Sequence, residues 1–228
     1  MEAIILAGGF GRRLQSVVSD VPKPMATISG RPFLEILLKS LAEKGFSRVV
    51  LSLGYKAEMI RSHFGSNFLG QDLVYVEEKI PLGTGGATRL AATACTQSNM
   101  FVFNGDTFLE LEIKKLKQQL QKNRKPIVVA KAVPDASRYG QLVCDGVKIT
   151  GFSEKNVSGP GLINAGCYAL QADALREFPL YQPFSLETDY FVPKILRETV
   201  EIFITKGMFI DIGIPEDYLK AQTLLADQ

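Results

Sequence analysis

The 228 residues carry 26 Lys and Arg against 24 Asp and Glu, a formal net charge of +2, and the cations are scattered, so no nucleic-acid footprint is visible. A hydrophobic content of 46% supplies one substantial core, so a single α/β domain over residues 1–228 is expected. Cys95, Cys144 and Cys167 show neither zinc-site spacing nor the even count of a disulfide framework, and the longest apolar runs are far too short to span a bilayer; together these lead us to expect a cytoplasmic protein with reduced thiols and no membrane partner.

In chain order, Met1 to Leu6 reads as an apolar strand, followed by Gly8, Gly9 and Gly11 in Leu6-Ala7-Gly8-Gly9-Phe10-Gly11-Arg12-Arg13-Leu14. Glycines at that place let backbone N–H groups approach phosphate with no Cβ in the way. Arg13 and then Lys23, in Pro22-Lys23-Pro24-Met25, add two fixed cations. A dinucleotide loop requires G-x-G-x-x-G, and here the last glycine of the frame is Leu14; a Walker A loop requires Gly-Lys-Ser/Thr, which is absent. The combination points to chemistry on a nucleoside triphosphate. Phe33, Leu37 and Leu41 share one helix face, with Gly45 as the stop. Further strands are expected at 48–53, 73–76, 100–103 and 126–133, with helical periodicity between them, which implies a three-layer, mostly parallel sheet. Such sheets open their crevices beyond the carboxyl ends of the strands, where the Gly8–Arg13 loop, Gly83–Gly86 and Asn104–Asp106 would all sit. After about Tyr139 the pattern turns to short strand-like pieces separated by Asp-Gly and Ser-Gly-Pro-Gly turns, the expected lid or wall of the site.

Two acids stand out. Asp106 ends the apolar run Phe101-Val102-Phe103-Asn104-Gly105, placed to offer a carboxylate to a phosphate-bound metal, and Asp211 lies in Phe209-Ile210-Asp211-Ile212-Gly213, where an unpaired charge would be costly. Pairing of Asp211 with a buried Lys or Arg is the structural alternative. Magnesium takes one or two protein carboxylates and completes its shell with water and phosphate, so the two acids suit Mg2+. Gly83-Thr84-Gly85-Gly86 opens a helix whose N–H groups suit a base or phosphate. Glu154-Lys155 and Asn164 bring a cation, an acid and an amide to the second half, as a sugar phosphate requires. Glu77 or Glu78 could accept from guanine N1 and N2, and backbone carbonyls could serve equally. The lone histidine, His63, argues against a Ser-His-Asp hydrolase.

From Ala3 to about Tyr218 the chain resembles the sugar-1-phosphate nucleotidyltransferases, matching in order at Leu6–Leu14, Pro22–Met25, Pro81–Ala87, Asn104–Asp106, Tyr139–Gly140, Glu154–Lys155, Asn164–Gly166 and Asp211–Gly213. Within that family it is most similar to the short D-glycero-α-D-manno-heptose 1-phosphate guanylyltransferases, through Ser19–Pro24, Pro81–Gly86, Asn104–Phe108, Gly161–Asn164 and Ile210–Tyr218. The resemblance implies a three-layer αβα, Rossmann-like fold with a mixed, mostly parallel central sheet and a small β-rich sugar-side lid. Residues 1–135 would form the nucleotide-binding half and 136–228 the sugar-phosphate half. It implies catalytic roles for Arg13, Lys23 and Asp106, and nucleotide contacts from Leu6, Gly8, Gly9, Gly11, Arg13, Glu78, Gly83, Thr84 and Asp106. Sugar-phosphate contacts would come from Gly140, Glu154, Lys155 and Asn164, and Mg2+ ligands from Asp106 and Asp211. Two departures stand out: Arg12 replaces a frequent Thr, and Asn156 a frequent Pro. The implied partners are GTP and a sugar 1-phosphate feeding a surface polysaccharide, with no nucleic acid or membrane partner and with a homo-oligomer compatible. Alternatives are mannose 1-phosphate with GTP, N-acetylmuramate 1-phosphate with UTP, and a nucleotide-sugar-sensing regulatory subunit. A Rossmann dehydrogenase fits poorly, because its glycine frame is not met.

Overall fold

The computed structural model describes residues 1–11, 13–14, 16–153 and 158–228. The first half runs β1 (Glu2–Leu6), a small hairpin of β2 (Thr27–Ile28) and β3 (Arg31–Pro32), α1 (Phe33–Glu43), β4 (Arg48–Leu53), α2 (Ala57–Phe64), β5 (Asn67–Phe68), β6 (Gln71–Glu77), α3 (Gly83–Ala91), β7 (Asn99–Asn104), β8 (Thr107–Leu109), α4 (Ile113–Asn123) and β9 (Ile127–Val133). The second half adds β10 (Gln141–Asp145), β11 (Lys148–Ser153), β12 (Gly161–Gln171), a π-helical turn Leu186–Phe191 running into α5 (Val192–Ile195), β13 (Glu201–Thr205), β14 (Phe209–Asp211) and α6 (Pro215–Leu224).

Ten strands form one sheet in the order β10-β11-β13-β9-β12-β7-β1-β4-β6-β5. Parallel pairing joins β7, β1, β4 and β6, and again β9 with β13, while β12 enters antiparallel between β7 and β9. The β-rich stretch after Tyr139 therefore continues the same sheet, with β10 meeting β12 at Gln141 and Ile163. The core lies on both faces, as side-chain alternation demands. Ala3 and Ile5 of β1, with Val49 and Leu51 of β4, pack under α1, α2, α4 and α6; Ile4, Val50, Met100 and Val102 face the other way, toward the π-helical turn. On α1, Phe33, Leu37 and Leu41 are buried, as their shared face predicts, with Leu34 and Leu38 fully buried beside them, and Gly45 follows the helix at φ +83°, a conformation that favours glycine. Truncating one such side chain, as in Leu38→Ala, costs about 2–5 kcal/mol.

This arrangement places the carboxyl ends of β1, β4 and β7 side by side, with Leu6 in register with Ser52 and with Asn104. The three loops that leave those ends form the crevice.

Candidate active site

The glycine loop after β1 is shaped by close approaches on two sides. A Cβ at Gly8 would lie 2.6 Å from Glu78 Oε1, and one at Gly54 would lie 2.8 Å from the Gly8 carbonyl, so the loop is pressed against the ends of β4 and β6. Gly11 takes φ +60°, and a Cβ there would meet the Lys23 Cβ at 2.9 Å. Gly9 faces open space within 4 Å. The loop is thus held at Gly8 and Gly11 with open space at Gly9 between them, the form an anion cradle requires. Leu6, Gly9, Gly11, Arg13, Lys23 and Asp106 share a cleft of about 230 Å³.

Lys23 sits on a one-turn 3₁₀ helix, Lys23–Met25, anchored by the buried Pro24 and Met25. Its side chain, only 10% exposed, puts Nζ 2.5 Å from Asp106 Oδ2 and 3.9 Å from Asp211 Oδ1. Asp106 follows Gly105, whose N–H donates to the Leu6 carbonyl at 2.9 Å and whose Cβ, if present, would stand 2.7 Å from that oxygen. Asp211 comes from the far end of the sequence through a separate two-stranded ladder in which it pairs with Thr107 of β8, and the Ile212 N–H donates to the Asp106 carbonyl at 2.9 Å. The turn beyond is closed by the Gly213 N–H, which donates to Asp211 Oδ1 at 2.6 Å; a Cβ at Gly213 would fall 3.1 Å from Lys23 Nζ.

Asp211 has the lysine partner of the structural alternative, and it also faces a second carboxylate. Burial, then the neighbouring Asp106 charge, hold its carboxyl above the usual range, against the pull of Lys23, the Gly213 N–H and Arg13. One ammonium between two carboxylates leaves the cluster net negative and Asp211 short of compensation. A divalent cation would supply the missing charge. The described residues hold no group of three or more metal-ligating side chains, and two carboxylates are the number Mg2+ uses when phosphate completes its shell.

A second cleft of about 290 Å³ joins Leu6, Gly9, Glu78, Gly83, Thr84 and Asp106, so the three sequence motifs do meet on one rim. Beside it, a hollow of about 290 Å³ is bounded by Gly8, Phe10, Tyr55, Glu78 and Pro81. Glu78 accepts from Ser52 Oγ at 3.0 Å and from the Leu82 N–H at 2.9 Å, and burial raises its carboxyl above the usual range against those two bonds. Glu77 is instead tied to Arg61 at 2.8 Å.

The glycine-rich helix start differs from expectation. The Gly85 and Gly86 N–H groups donate to the Phe184 carbonyl, at 2.9 and 3.2 Å, so they are not free to receive a base or phosphate. The glycines make room for a strap of chain: a Cβ at Gly83 would lie 2.6 Å from the Phe184 carbonyl oxygen and one at Gly86 2.5 Å from that of Gln182, while one at Gly85 would run into the Phe184 ring. Thr84 lines the cleft, and its hydroxyl donates to Glu187 Oε2 at 2.7 Å.

In the second half of the chain, the Asn164 N–H donates to the Gly140 carbonyl at 3.0 Å, and the strand bulges between Asn164 and Cys167. The bulge sets Gly166 at φ +67° against Asn104, which lines the second cleft. Glu154, Lys155, Arg12 and Asn156 lie outside the described residues. Sequence reasoning missed Tyr168, Phe184, Ser185 and Glu187, which surround Thr84 and Asn164, and the Arg138–Asp217 ion pair that ties the loop before Gly140 to α6. Ser185 carried the one readable signal, since it precedes Leu186-Glu187-Thr188 as an N-cap and accepts from the Thr188 N–H.

His63 is partly exposed, 3.9 Å from Glu35, and the cysteines are free, as expected. A larger hollow of about 580 Å³ lies at the opposite end of β7, near Asn99, Arg124 and Arg176, away from the carboxylate pair and the glycine loop. No helix among the described residues is long and apolar enough to cross a membrane.

The chain is similar to known proteins over nearly its whole length. A D-glycero-alpha-D-manno-heptose 1-phosphate guanylyltransferase of Aneurinibacillus thermoaerophilus is 40% identical over 223 residues, covering 97% of both chains. One from Campylobacter jejuni is 40% identical over 220 residues, 96% of this chain and 97% of its own. The crystal structure of HddC from Yersinia pseudotuberculosis complexed with GMP-PN superimposes with a TM-score of 0.87 at 40% identity, over 97% of each chain. The nucleotidyl transferase family model matches residues 2–228, and the chain belongs to that family.

Proposed function

We propose that this enzyme transfers a guanylyl group from GTP to D-glycero-α-D-manno-heptose 1-phosphate in the cytoplasm, giving GDP-heptose and pyrophosphate for surface polysaccharide synthesis. The observation that carries the reading is Lys23 held between Asp106 and Asp211 at the foot of the glycine loop. The choice of substrates rests on relatives of that printed activity at 40% identity over 97% of the chain.

An oxygen of the sugar 1-phosphate attacks the α-phosphorus in line; the new O–P bond forms as the bond to the β-phosphate oxygen breaks, and that electron pair leaves with pyrophosphate. No general base is required, because a phosphate monoester loses its second proton at a pKa of about 6. The obstacle is repulsion between two anions and the charge that develops on the leaving group. Lys23 meets that charge from its place between the two carboxylates and Arg13 from the wall of the same cleft, and the Gly8–Gly11 amides orient the phosphates. Asp106 and Asp211 would hold a divalent cation, Mg2+ in this reading, which when bound would further neutralise the phosphates. Lys155, Glu154, Gly140 and Asn164 are the sugar-phosphate contacts of this reading. For the base, a carboxylate has about four acceptor sites, and Glu78 uses two of them on Ser52 and Leu82, leaving acceptors for guanine N1 and N2.

The test is a matrix of GTP, ATP, UTP and CTP against heptose 1-phosphate, mannose 1-phosphate and N-acetylmuramate 1-phosphate, read by pyrophosphate release. The highest kcat/KM is expected for GTP with heptose 1-phosphate. Binding without pyrophosphate release in every cell would favour a sensing subunit and overturn the reading.

A further inference from the structure

Glu187 lies on the π-helical turn, and three hydroxyls converge on its carboxylate: Thr84 Oγ1 at 2.7 Å and Ser185 Oγ at 2.8 Å on Oε2, and the Tyr168 hydroxyl at 2.6 Å on Oε1. Among the described residues no Lys, Arg or His forms an ion pair with it. A partly buried carboxylate without a cation is costly unless hydrogen bonds offset its desolvation. Among the described residues its donors are all neutral hydroxyls, and two of them come from separate elements: Thr84 from the start of α3 and Tyr168 from β12.

The chemistry of the pair fixes a direction. An ionised carboxylate accepts only, so the Tyr168 hydroxyl must donate to it, and the Tyr168 oxygen is then left to accept, which it does from Asn164 Nδ2 at 2.9 Å. With Nδ2 turned toward Tyr168, Asn164 Oδ1 receives the Gly166 N–H at 3.1 Å. Burial first, and then the charge of Glu187, push the Tyr168 phenol well above its ordinary range, so it keeps the proton it donates.

We propose that Glu187 is a positioning residue that, through Tyr168, sets the orientation of the Asn164 side-chain amide and ties it to the nucleotide-side Thr84. Its effect on turnover rests on the reading of Asn164 as a sugar-facing group, and it assigns to Glu187 no contact with substrate. The relay is Glu187 to Tyr168 to Asn164, and its function is to present one defined amide face to the sugar phosphate while the bulge at Gly166 stays closed against Asn104.

Glu187→Gln leaves one acceptor oxygen for three hydroxyl donors, and Tyr168→Phe removes one oxygen and cuts the relay while sparing the Thr84 contact. In both variants the KM for heptose 1-phosphate should rise about tenfold or more, the scale of one lost charge-assisted hydrogen bond. The KM for GTP should stay within about twofold on the same scale, and the double variant should be no worse than Glu187→Gln alone, because both act on one path. A merely structural role would lower the melting temperature or the active fraction and leave the KM for the sugar phosphate unchanged. The second readout needs no turnover: the Asn164 side-chain amide resonance, identified by its loss in Asn164→Asp, should shift in both variants. A folded Glu187→Gln with unaltered sugar-phosphate KM, equal rises for both substrates, additive effects, or an unmoved Asn164 resonance would each overturn the proposal. Wild-type turnover in the same assay tests the substrate assignment separately; were it absent, the resonance alone decides.

Discussion

Lys23→Met keeps the aliphatic stem that packs under Gly11 and removes only the ammonium, which makes it the sharpest probe of the carboxylate pair. In the wild type Nζ stands 2.5 Å from Asp106 and 3.9 Å from Asp211, in a side chain 10% exposed. Two unit charges about 4 Å apart attract by about 4 kcal/mol at an effective dielectric of about 20. The carboxylates are 35% and 32% exposed, so solvent screens a good part of that, and a net destabilisation of about 1–3 kcal/mol is expected. For a chain of this size that is a fall in melting temperature of roughly 2–12 °C. Turnover should fall much further, by roughly a hundred- to a thousandfold in kcat/KM, because a preorganised cation facing the reacting phosphates contributes about 3–4 kcal/mol to the transition state. The two losses separate on adding Mg2+. With the ammonium gone the carboxylates lose the nearest cation that offsets their repulsion, so the metal cation should raise the melting temperature of the variant more than that of the wild type, without restoring the rate. Melting curves over a Mg2+ titration, with pyrophosphate release measured on the same samples, check this. A folded variant with near wild-type kcat/KM, or equal stabilisation of both proteins by Mg2+, would refute the reasoning.

Asp211→Asn tests the same cluster from the acid side. The Asp211 carboxyl is raised above its unfolded value, so its favourable contribution is present below the unfolded pKa and is lost as pH rises through the folded pKa. The metal-free variant should therefore melt higher than wild type at neutral pH and no higher at acid pH, while turnover is lost; a lower melting temperature at neutral pH would contradict the sign. Glu78→Gln should lower the preference for GTP over ATP about tenfold or more, since one acceptor for guanine becomes a donor, and an unchanged ratio would move base recognition to the backbone. Gly85→Ala drives a methyl into the Phe184 ring, which is stacked on Phe178 at 4.2 Å between centroids, and should cost about 1–3 kcal/mol, with Phe184→Leu restoring part of it in a thermal melt.

How much of this was legible in the sequence depends on whether the signal was local. The Gly8–Gly11 loop and Asp106 could be read because each follows a strand whose apolar run is unmistakable, and the crevice of a parallel sheet lies where such strands end; Lys23 was legible through its Pro22-Lys23-Pro24-Met25 element. Asp211 could be singled out by its apolar neighbours, but its meeting with Asp106 depends on the register of the three-residue ladder between β8 and β14, pairing segments about a hundred residues apart, which no periodicity encodes. Glu187 was illegible for a related reason: a Glu in a helical stretch reads as a solvated face, and only the packing of that turn against α3 and β12 turns it inward. Gly83, Gly85 and Gly86 show the limit most clearly. A glycine reports that something comes close and not what comes close, and a phosphate oxygen, a base and a backbone carbonyl all satisfy it. At Gly8 and Gly213 the nearest groups are the side chains of Glu78, Asp211 and Lys23, of which Glu78 and Lys23 line the clefts, whereas at Gly83–Gly86 they are the carbonyls and ring of a neighbouring strap. The same residue type thus opens the site at one rim and seals it at the other, and the distinction rests on what stands opposite, which the fold alone supplies.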